Sequence, residues 1–514
     1  MTAIPFLRSR LHRILIASLM AASLVPIWSS TYFPSQNGPW HLLMIQMLHQ
    51  YNNPAFNYSE FYTPSVHAIP HLAHTLLVYA LAFVFPLLVA HKIAISIYAL
   101  LLPVSVFWLL ATVNPTRMAP GYVSFLLIYN VPLFRGYHDF VLGIPLVLLT
   151  LTYWLRTRER MTAWRVVAVI VMIVCVYLSH VFNFLVLGLA MLVYTLHDKR
   201  SVRAVGHLAL LFTPALLLLV EFLIMNFRQE AWLDTSELVF VSPPAAVEGF
   251  FRRFFETMSR TAGFLAYGPL LLGTPLVYRG LRRYYRRAGG VLSGMVANPA
   301  LILFLACLVL YFITPYKLFG WHYVNVRFVP YVIVFCVASL SVNGHVVRRA
   351  FIATIAVASL GIYGILSMQI ARTGERIGEY VSAANSLRPN SVMLPVNVEV
   401  TDDDNGEVYP YAHVYDYYQI LRGGANGRGI ARFNTITPLV YRTYPVSRRF
   451  PGWDPYRRNA TRLAAVYDYV LVWGWDPFIT LQLRDAKFAL VYEKGDLRVF
   501  ESRQRNPQHV ALHD

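Results

Sequence analysis

Long apolar runs, about a dozen of them, fill residues 12 to 372, and a polar stretch of roughly 140 residues follows. A helix of about 20 apolar residues spans the hydrocarbon core of a bilayer. Inside that core a helix satisfies its own backbone hydrogen bonds, which an open chain cannot do. The runs therefore predict an α-helical multi-pass membrane protein of about 11–13 transmembrane helices, followed by a soluble α/β domain. The border falls near residue 372. Residues 1–372 form the membrane domain, with large outer loops at 30–66 and 226–261, and residues 373–514 form the soluble domain.

Charge is distributed to match. Ten of the 26 acidic residues precede residue 373, so each carboxylate in the membrane part is a candidate for chemistry. The net charge of +18 does not indicate nucleic acid, because many of the Lys and Arg residues sit in short loops between apolar runs. Such loops face the cytoplasm and attract anionic lipid. Cys175, Cys307 and Cys336 all lie inside apolar runs, which leaves no disulfide framework or zinc motif.

Arg8, Arg10 and Arg13 precede the first run, and no small-residue cleavage site follows before Thr31. This run reads as a first transmembrane helix entering from the cytoplasm. Further spans are expected near 67–89, 93–113, 138–155, 163–179, 181–197, 204–225, 262–279, 297–314, 328–343 and 350–371. Placing the basic loops around Arg156, Arg203, Arg282 and Arg348 on the cytoplasmic side requires that Tyr122–Phe134, which contains Pro132, dip into the outer leaflet without crossing. The N-terminus is then cytoplasmic, the soluble domain extracytoplasmic, and the location the plasma (inner) membrane. Pro39–Tyr51 and the Phe250–Met258 region read as amphipathic helices lying along the membrane surface.

In the soluble domain, Val392–Val400 and Asp468–Trp473 read as strands, and Phe488–Tyr492 with Leu497–Phe500 as a hairpin around Lys494-Gly495-Asp496. Asp402–Gly406 reads as a solvated acidic turn. Residues 422–429 have the composition of a mobile loop and lack the strand–helix context of a dinucleotide site.

With that topology, scarce polar groups converge on the outer face. The first loop supplies Asn37, His41 and Glu60. The dipping segment supplies Arg135, His138 and Asp139. His180 lies at a tight turn, and Lys317, His322 and Arg327 precede the eleventh crossing. Such a set suits a lipid-linked phosphate substrate, whose tail lies in the bilayer and whose head lies at its surface. Arg and Lys hold phosphate oxygens, and a carboxylate or His accepts a proton from an acceptor hydroxyl. A fixed cation stabilises charge developing on a leaving phosphate. The same residues also have purely structural uses. Arg327 and Lys317 can anchor a helix end, His138 and His180 can bond carbonyls, and Asp139 can cap a helix. Trp321 and Tyr323 fit an aromatic belt as well as a sugar platform.

Asn37-Gly38-Pro39-Trp40-His41-Leu42 resembles an Asp-Gly-Pro-x-His-Leu motif in a bacterial group within the GT-C superfamily of integral-membrane glycosyltransferases. The resemblance continues through Tyr129-Asn130, Gly136-Tyr137-His138-Asp139-Phe140, Ser179-His180 and Arg327-Phe328 to Tyr467–Val472. It implies transfer of a sugar from a polyprenyl-phosphate-linked donor to an acceptor on the extracytoplasmic face. In that family the first-loop Asp serves as the base or as part of a metal site, which leaves a divalent metal as an open requirement. Here the position is Asn37, and an amide does not accept that proton at neutral pH. Asp139 or Glu60 then replaces the base, with Asn37, His41, Arg135, His138, His180, Lys317, His322 and Arg327 binding substrate. Two other readings stay open: a catalytically silent GT-C-like binding protein, and a transporter or flippase for a lipid-linked glycan, for which Glu221 is the main intramembrane candidate.

Overall fold

A computed structural model describes residues 9–65, 67–115, 118–199, 201–227, 238–287, 298–318, 321–340, 345–397, 407–428, 437–443, 460–474 and 476–504. The chain is a multi-pass helical membrane protein with a small sheet-containing region near its C-terminus. Among the described residues, six helices are long and apolar enough to cross a bilayer: Arg10–Trp28, Leu87–Val113, His138–Arg160, Val181–Asp198, Val202–Met225 and His345–Ser386. Shorter apolar helices occupy Ala119–Phe134, Ala163–Ser179, Pro299–Ile313 and Asn325–Ser339. The chain divides into two compact units. The first contains Met1–Ser29, Ala68–Leu77 and Lys92–Gln369, and the second contains Ser30–His67, Val78–His91 and Ile370–Asp514.

Several elements differ from expectation. The segment 67–89 is not a continuous span. It holds a nine-residue helix, Ala73–Leu81, which at 1.5 Å per residue reaches only about 14 Å. Pro86 interrupts it, because proline has no N–H and disfavours helical geometry in the residue before it. The next helix starts at Leu87 and reaches Val113, so it begins earlier than expected. At the other end of the membrane part, residue 372 falls inside one unbroken helix, His345–Val381.

Between 114 and 137 the first unit holds a 3-10 segment, Ala119–Leu126, and a single turn, Val131–Phe134, both buried and neither long enough to cross. Asn130 fixes this region. Its side-chain oxygen accepts from Leu133 N–H at 2.9 Å, and its Nδ2 donates to the Leu127 carbonyl at 2.9 Å and to the Tyr98 hydroxyl at 3.0 Å. The Tyr129 hydroxyl donates to the Ser23 carbonyl at 2.6 Å. The Tyr129-Asn130 pair is therefore structural: it satisfies backbone that would otherwise be orphaned away from water.

In the second unit the helix expected at 39–51 runs from Gly38 to His49. Most of it is buried, including the imidazole of His41, so it is a packed element rather than a helix lying on the membrane surface. By contrast, the first unit's Pro243–Phe255 helix buries only Ala246, Gly249, Phe254 and Phe255, which leaves its other face open as an interfacial helix requires.

The second unit contains two sheets. Strand β1 (Tyr62–Pro64) pairs antiparallel with β4 (Leu439–Tyr441), which ties the first loop to the C-terminal region. The other five strands are β2 (Val392–Asn397), β3 (Ala425–Asn426), β5 (Tyr469–Trp473), β6 (Phe488–Lys494) and β7 (Leu497–Ser502). They form one sheet in the order β3-β2-β5-β7-β6, with β2 parallel to both β3 and β5 and with β7 antiparallel to β5 and β6. Lys494 pairs with Leu497, so the expected hairpin turns on Gly495 and Asp496.

The glycine-rich stretch after Arg422 is not a mobile loop over its described part. A Cβ on Gly424 would sit 2.1 Å from the Ser391 carbonyl oxygen, and Gly424 adopts φ +76°. Only glycine allows that approach and that dihedral together. The acidic turn Asp402–Gly406 lies outside the described residues.

Tyr58 and Tyr62 extend this tie through hydrogen bonds. The Tyr58 hydroxyl donates to the Gln419 carbonyl at 2.6 Å, and Gln419 Nε2 donates to the Tyr62 hydroxyl at 3.2 Å. Asn426 Nδ2 donates to Asp416 Oδ1 at 2.9 Å, and the Tyr441 hydroxyl donates to the Asn426 carbonyl at 2.8 Å. The result is a buried polar network at the centre of the second unit.

Candidate functional site

Three helix ends of the first unit meet through Asn183. Its Nδ2 donates to the Phe140 carbonyl at 3.0 Å and to the Ser179 hydroxyl at 3.1 Å, while its Oδ1 accepts from the Tyr331 hydroxyl at 2.7 Å. A Cβ on Gly143 would lie 1.7 Å from Asn183 Nδ2, so the close crossing of helices His138–Thr157 and Val181–Lys199 requires glycine there. This packing fixes the ends that carry His138, Asp139, His180 and Arg327.

Asp139 is anchored by its surroundings. It is buried, and its Oδ1 accepts from the backbone N–H of His74 at 2.7 Å. The carboxylate also bonds the N–H of Thr75, and so caps the helix Ala73–Leu81 from another part of the chain. Its structural use as a cap is real, but it acts on a helix 65 residues earlier rather than on its own.

Arg327 is the most unusual group in the set. Its side chain is 6% exposed, and its Cζ lies 5.3 Å from the ring centre of Phe182, 5.4 Å from Tyr137, 5.7 Å from Trp321 and 5.9 Å from Phe140. Its Nε and Nη1 are buried and have no hydrogen-bond partner among the described residues. Ring faces attract a guanidinium, but they do not replace the hydrogen bonds that the three N–H donors of Nε and Nη1 lose on leaving water. A buried, uncompensated cation costs several kcal/mol, and an anion would relieve that cost.

His180 forms one wall of this cage. Its Nδ1 accepts from Phe182 N–H at 3.0 Å, so the neutral ring carries its proton on Nε2. Its ring stands edge-on to Phe140 at 5.5 Å and to Trp321 at 5.9 Å. His71 packs against both His180 (4.7 Å) and Trp321 (5.4 Å). The Trp321 ring thus belongs to the cage and not to an aromatic belt alone.

A second group of cations adjoins it. Arg135 Nη1 donates to the Tyr323 hydroxyl at 2.8 Å, with its Cζ 4.0 Å from the centre of that ring. Tyr323 packs on Tyr316 at 5.0 Å, and Arg253 stacks on Tyr316 at 4.5 Å. Lys317 pairs through its backbone with Val239. His322 is held below the ordinary histidine range by partial burial and then by the Lys317 and Arg135 charges. The structure thus brings Arg135, His138, Asp139, His180, Lys317, His322 and Arg327 into one connected region of the first unit.

Asn37, His41 and Glu60 belong to the second unit. Asn37 sits at the start of helix Gly38–His49, where its carbonyl accepts from His41 N–H at 3.1 Å while its side chain makes no capping bond. His41 packs its ring on Trp40 at 4.5 Å. Glu60 is half-buried and accepts a short hydrogen bond from the Asn57 amide.

For a metal, the first unit offers the buried imidazoles of His74 and His138, whose rings lie 4.7 Å apart beside Asp139. Nitrogen donors of that kind suit a transition metal rather than magnesium. His71, His74, Phe182 and Asn183 are not among the residues that the sequence singles out, and Tyr137 is there only as part of a motif. Their signal was present for the two histidines, because imidazole is rare in an apolar stretch such as Ile69–Leu77.

No protein-family model and no curated protein matches the chain. Solved structures do. The chain aligns with apo ArnT from Cupriavidus metallidurans at a TM-score of 0.60 and 14% identity, over 95% of this chain and 97% of that one. The fold is GT-C-like. ArnT from the same organism bound to undecaprenyl phosphate aligns at a TM-score of 0.57 and 13% identity, over 96% and 98% of the two chains. At such identity the likeness carries the fold and leaves the chemistry to the residues.

Proposed function

We propose that the chain is an inverting glycosyltransferase of the inner membrane, which moves a sugar from a polyprenyl-phosphate-linked donor to an acceptor on the extracytoplasmic face. The observation that carries this reading is Arg327: a buried guanidinium whose Nε and Nη1 have no hydrogen-bond partner among the described residues, inside a cage of rings at the end of a helical bundle. A lipid phosphate supplies the missing acceptor oxygens, and its tail stays in the bilayer. The ArnT structure with undecaprenyl phosphate supports a carrier of this class for the shared fold.

In the reaction an acceptor hydroxyl oxygen attacks the anomeric carbon while the bond from that carbon to the phosphate oxygen breaks. The bonding pair leaves with the phosphate, whose growing charge Arg327 stabilises. Arg135 and Lys317 add positive potential beside it, and Trp321 offers a ring face to the sugar. The hydroxyl proton goes to a carboxylate. Within the first unit the candidate is Asp139, and Asp139→Asn tests it.

The test is turnover of purified protein in liposomes supplied with polyprenyl-phosphate sugars, read as release of the free carrier. Activity that falls by roughly 100-fold or more in Arg327→Ala supports the proposal. No turnover with any such donor removes it in favour of the silent binding protein, which Asn37 in place of the family's aspartate favours. In that case Asn37→Asp should create activity.

A further inference from the structure

Helix His138–Thr157 carries the candidate site at its first turn, and Arg158 follows its last. Twenty residues at 1.5 Å each separate the two by about 30 Å, so Arg158 lies at the opposite end of the bundle. It sits between two cavities of the first unit. One, of about 380 Å³, is walled by apolar side chains including Trp154, Met161, Val166, Leu208 and Leu211. The other, of about 400 Å³, is lined by the polar side chains of Thr112, Asn114, Tyr194, His197, Asp198 and Asn298. Arg158 lines both.

We propose that these cavities together form a binding site for a phospholipid with a phosphoethanolamine head. One acyl chain lies in the apolar cavity, and the head lies in the polar one. An apolar recess is a poor site for water, which needs polar partners, and hydrocarbon fits it. The head is chosen by the charges. Arg158 pairs with Asp198 in a short contact, and Asp198 also accepts from His197 Nδ1 at 2.8 Å. A head carrying phosphate and ammonium joined through two carbons matches such a pair: phosphate at the guanidinium, ammonium at the carboxylate.

A head with phosphate alone would bring a second anion beside Asp198 and compete with its carboxylate for Arg158. The neighbouring arginines do not change that preference. Arg156 Nε donates to the Thr112 hydroxyl at 2.7 Å with its guanidinium over Trp108, and Arg165 donates to the Arg160 carbonyl at 2.7 Å. This site lies a helix length, about 30 Å, from the first turn that carries His138 and Asp139, and stands or falls independently of sugar transfer.

The experiment uses the purified, delipidated full chain in detergent, titrated with phosphatidylethanolamine or phosphatidylglycerol carrying brominated acyl chains, with tryptophan fluorescence as the readout. Bromine quenches a ring it touches, and Trp154 walls the apolar cavity. The expected result is saturable quenching with phosphatidylethanolamine favoured by roughly tenfold. That component should disappear in Trp154→Phe, and the preference should shrink toward equality in Asp198→Asn. Cavity-filling Ala204→Leu should weaken both lipids. Equal affinity for the two lipids in the unaltered chain overturns the head assignment. Saturable quenching that survives in Trp154→Phe overturns the cavity assignment.

Discussion

The carboxylate of Asp139 accepts the backbone N–H of His74 at 2.7 Å, linking the start of one long helix to the start of a short one. The short helix is too brief to be stable alone, and its first N–H groups are buried. Asp139→Ala should therefore destabilise the protein by about 1 kcal/mol or more, read as a lower unfolding midpoint in detergent. Asp139→Asn keeps an acceptor oxygen and should retain most of that stability. If Asp139→Asn is stable but loses turnover, the carboxylate is the proton acceptor as well as the cap.

Gly143 and Asn183 predict a sharper loss. An alanine methyl at 143 would lie 1.7 Å from Asn183 Nδ2 and 2.2 Å from the Ser179 hydroxyl oxygen. Gly143→Ala should cost about 1–3 kcal/mol through overpacking. It should also displace the amide that accepts from Tyr331. Tyr331→Phe removes only that donor and should cost less, about 1 kcal/mol. Thermal unfolding of the two variants side by side checks the order.

The second unit predicts a pH dependence. Asp416 is buried, and burial pushes its carboxyl up to about 8, opposed only by the hydrogen bond from Asn426. Its Oδ2 has no hydrogen-bond partner among the described residues. A folded-state pKa raised above the unfolded value gives stability that is fully present below the unfolded value near 4 and is lost as pH rises through about 8. His413 acts in the opposite direction: burial lowers it to about 4, so its contribution is lost as pH falls from about 6.5 toward that value. Between pH 6.5 and 8 Asp416 is therefore the group whose titration costs stability. Unfolding midpoints at those two pH values should differ in the unaltered protein, and the difference should shrink in Asp416→Asn.

How much of this was legible in the sequence depends on the length scale of the cause. Apolar run length sets the helices, so most spans and the C-terminal hairpin at Gly495 were readable. The helix break at Pro86 was also written locally, but a hydropathy window averages across it. The burial of helix Gly38–His49 was not readable, because its partners lie in residues 416–422, far along the chain. The same holds for the site. His138, Asp139, His180 and Arg327 stood out as scarce polar residues near apolar runs, whereas the rings around Arg327 come from three separate segments, at Tyr137–Phe140, Phe182 and Trp321. The use of Asp139 as a cap for a helix in another segment has no local signature.

The central claim is that Arg327 holds the phosphate of a lipid carrier, and binding of a polyprenyl phosphate to the purified chain tests it most directly. Arg327→Met keeps much of the side-chain volume among the rings and removes the charge and the donors. The account predicts saturable binding by the unaltered protein, weakened by roughly tenfold or more in Arg327→Met, with the fold retained by thermal unfolding. Unchanged affinity in a folded Arg327→Met would contradict it.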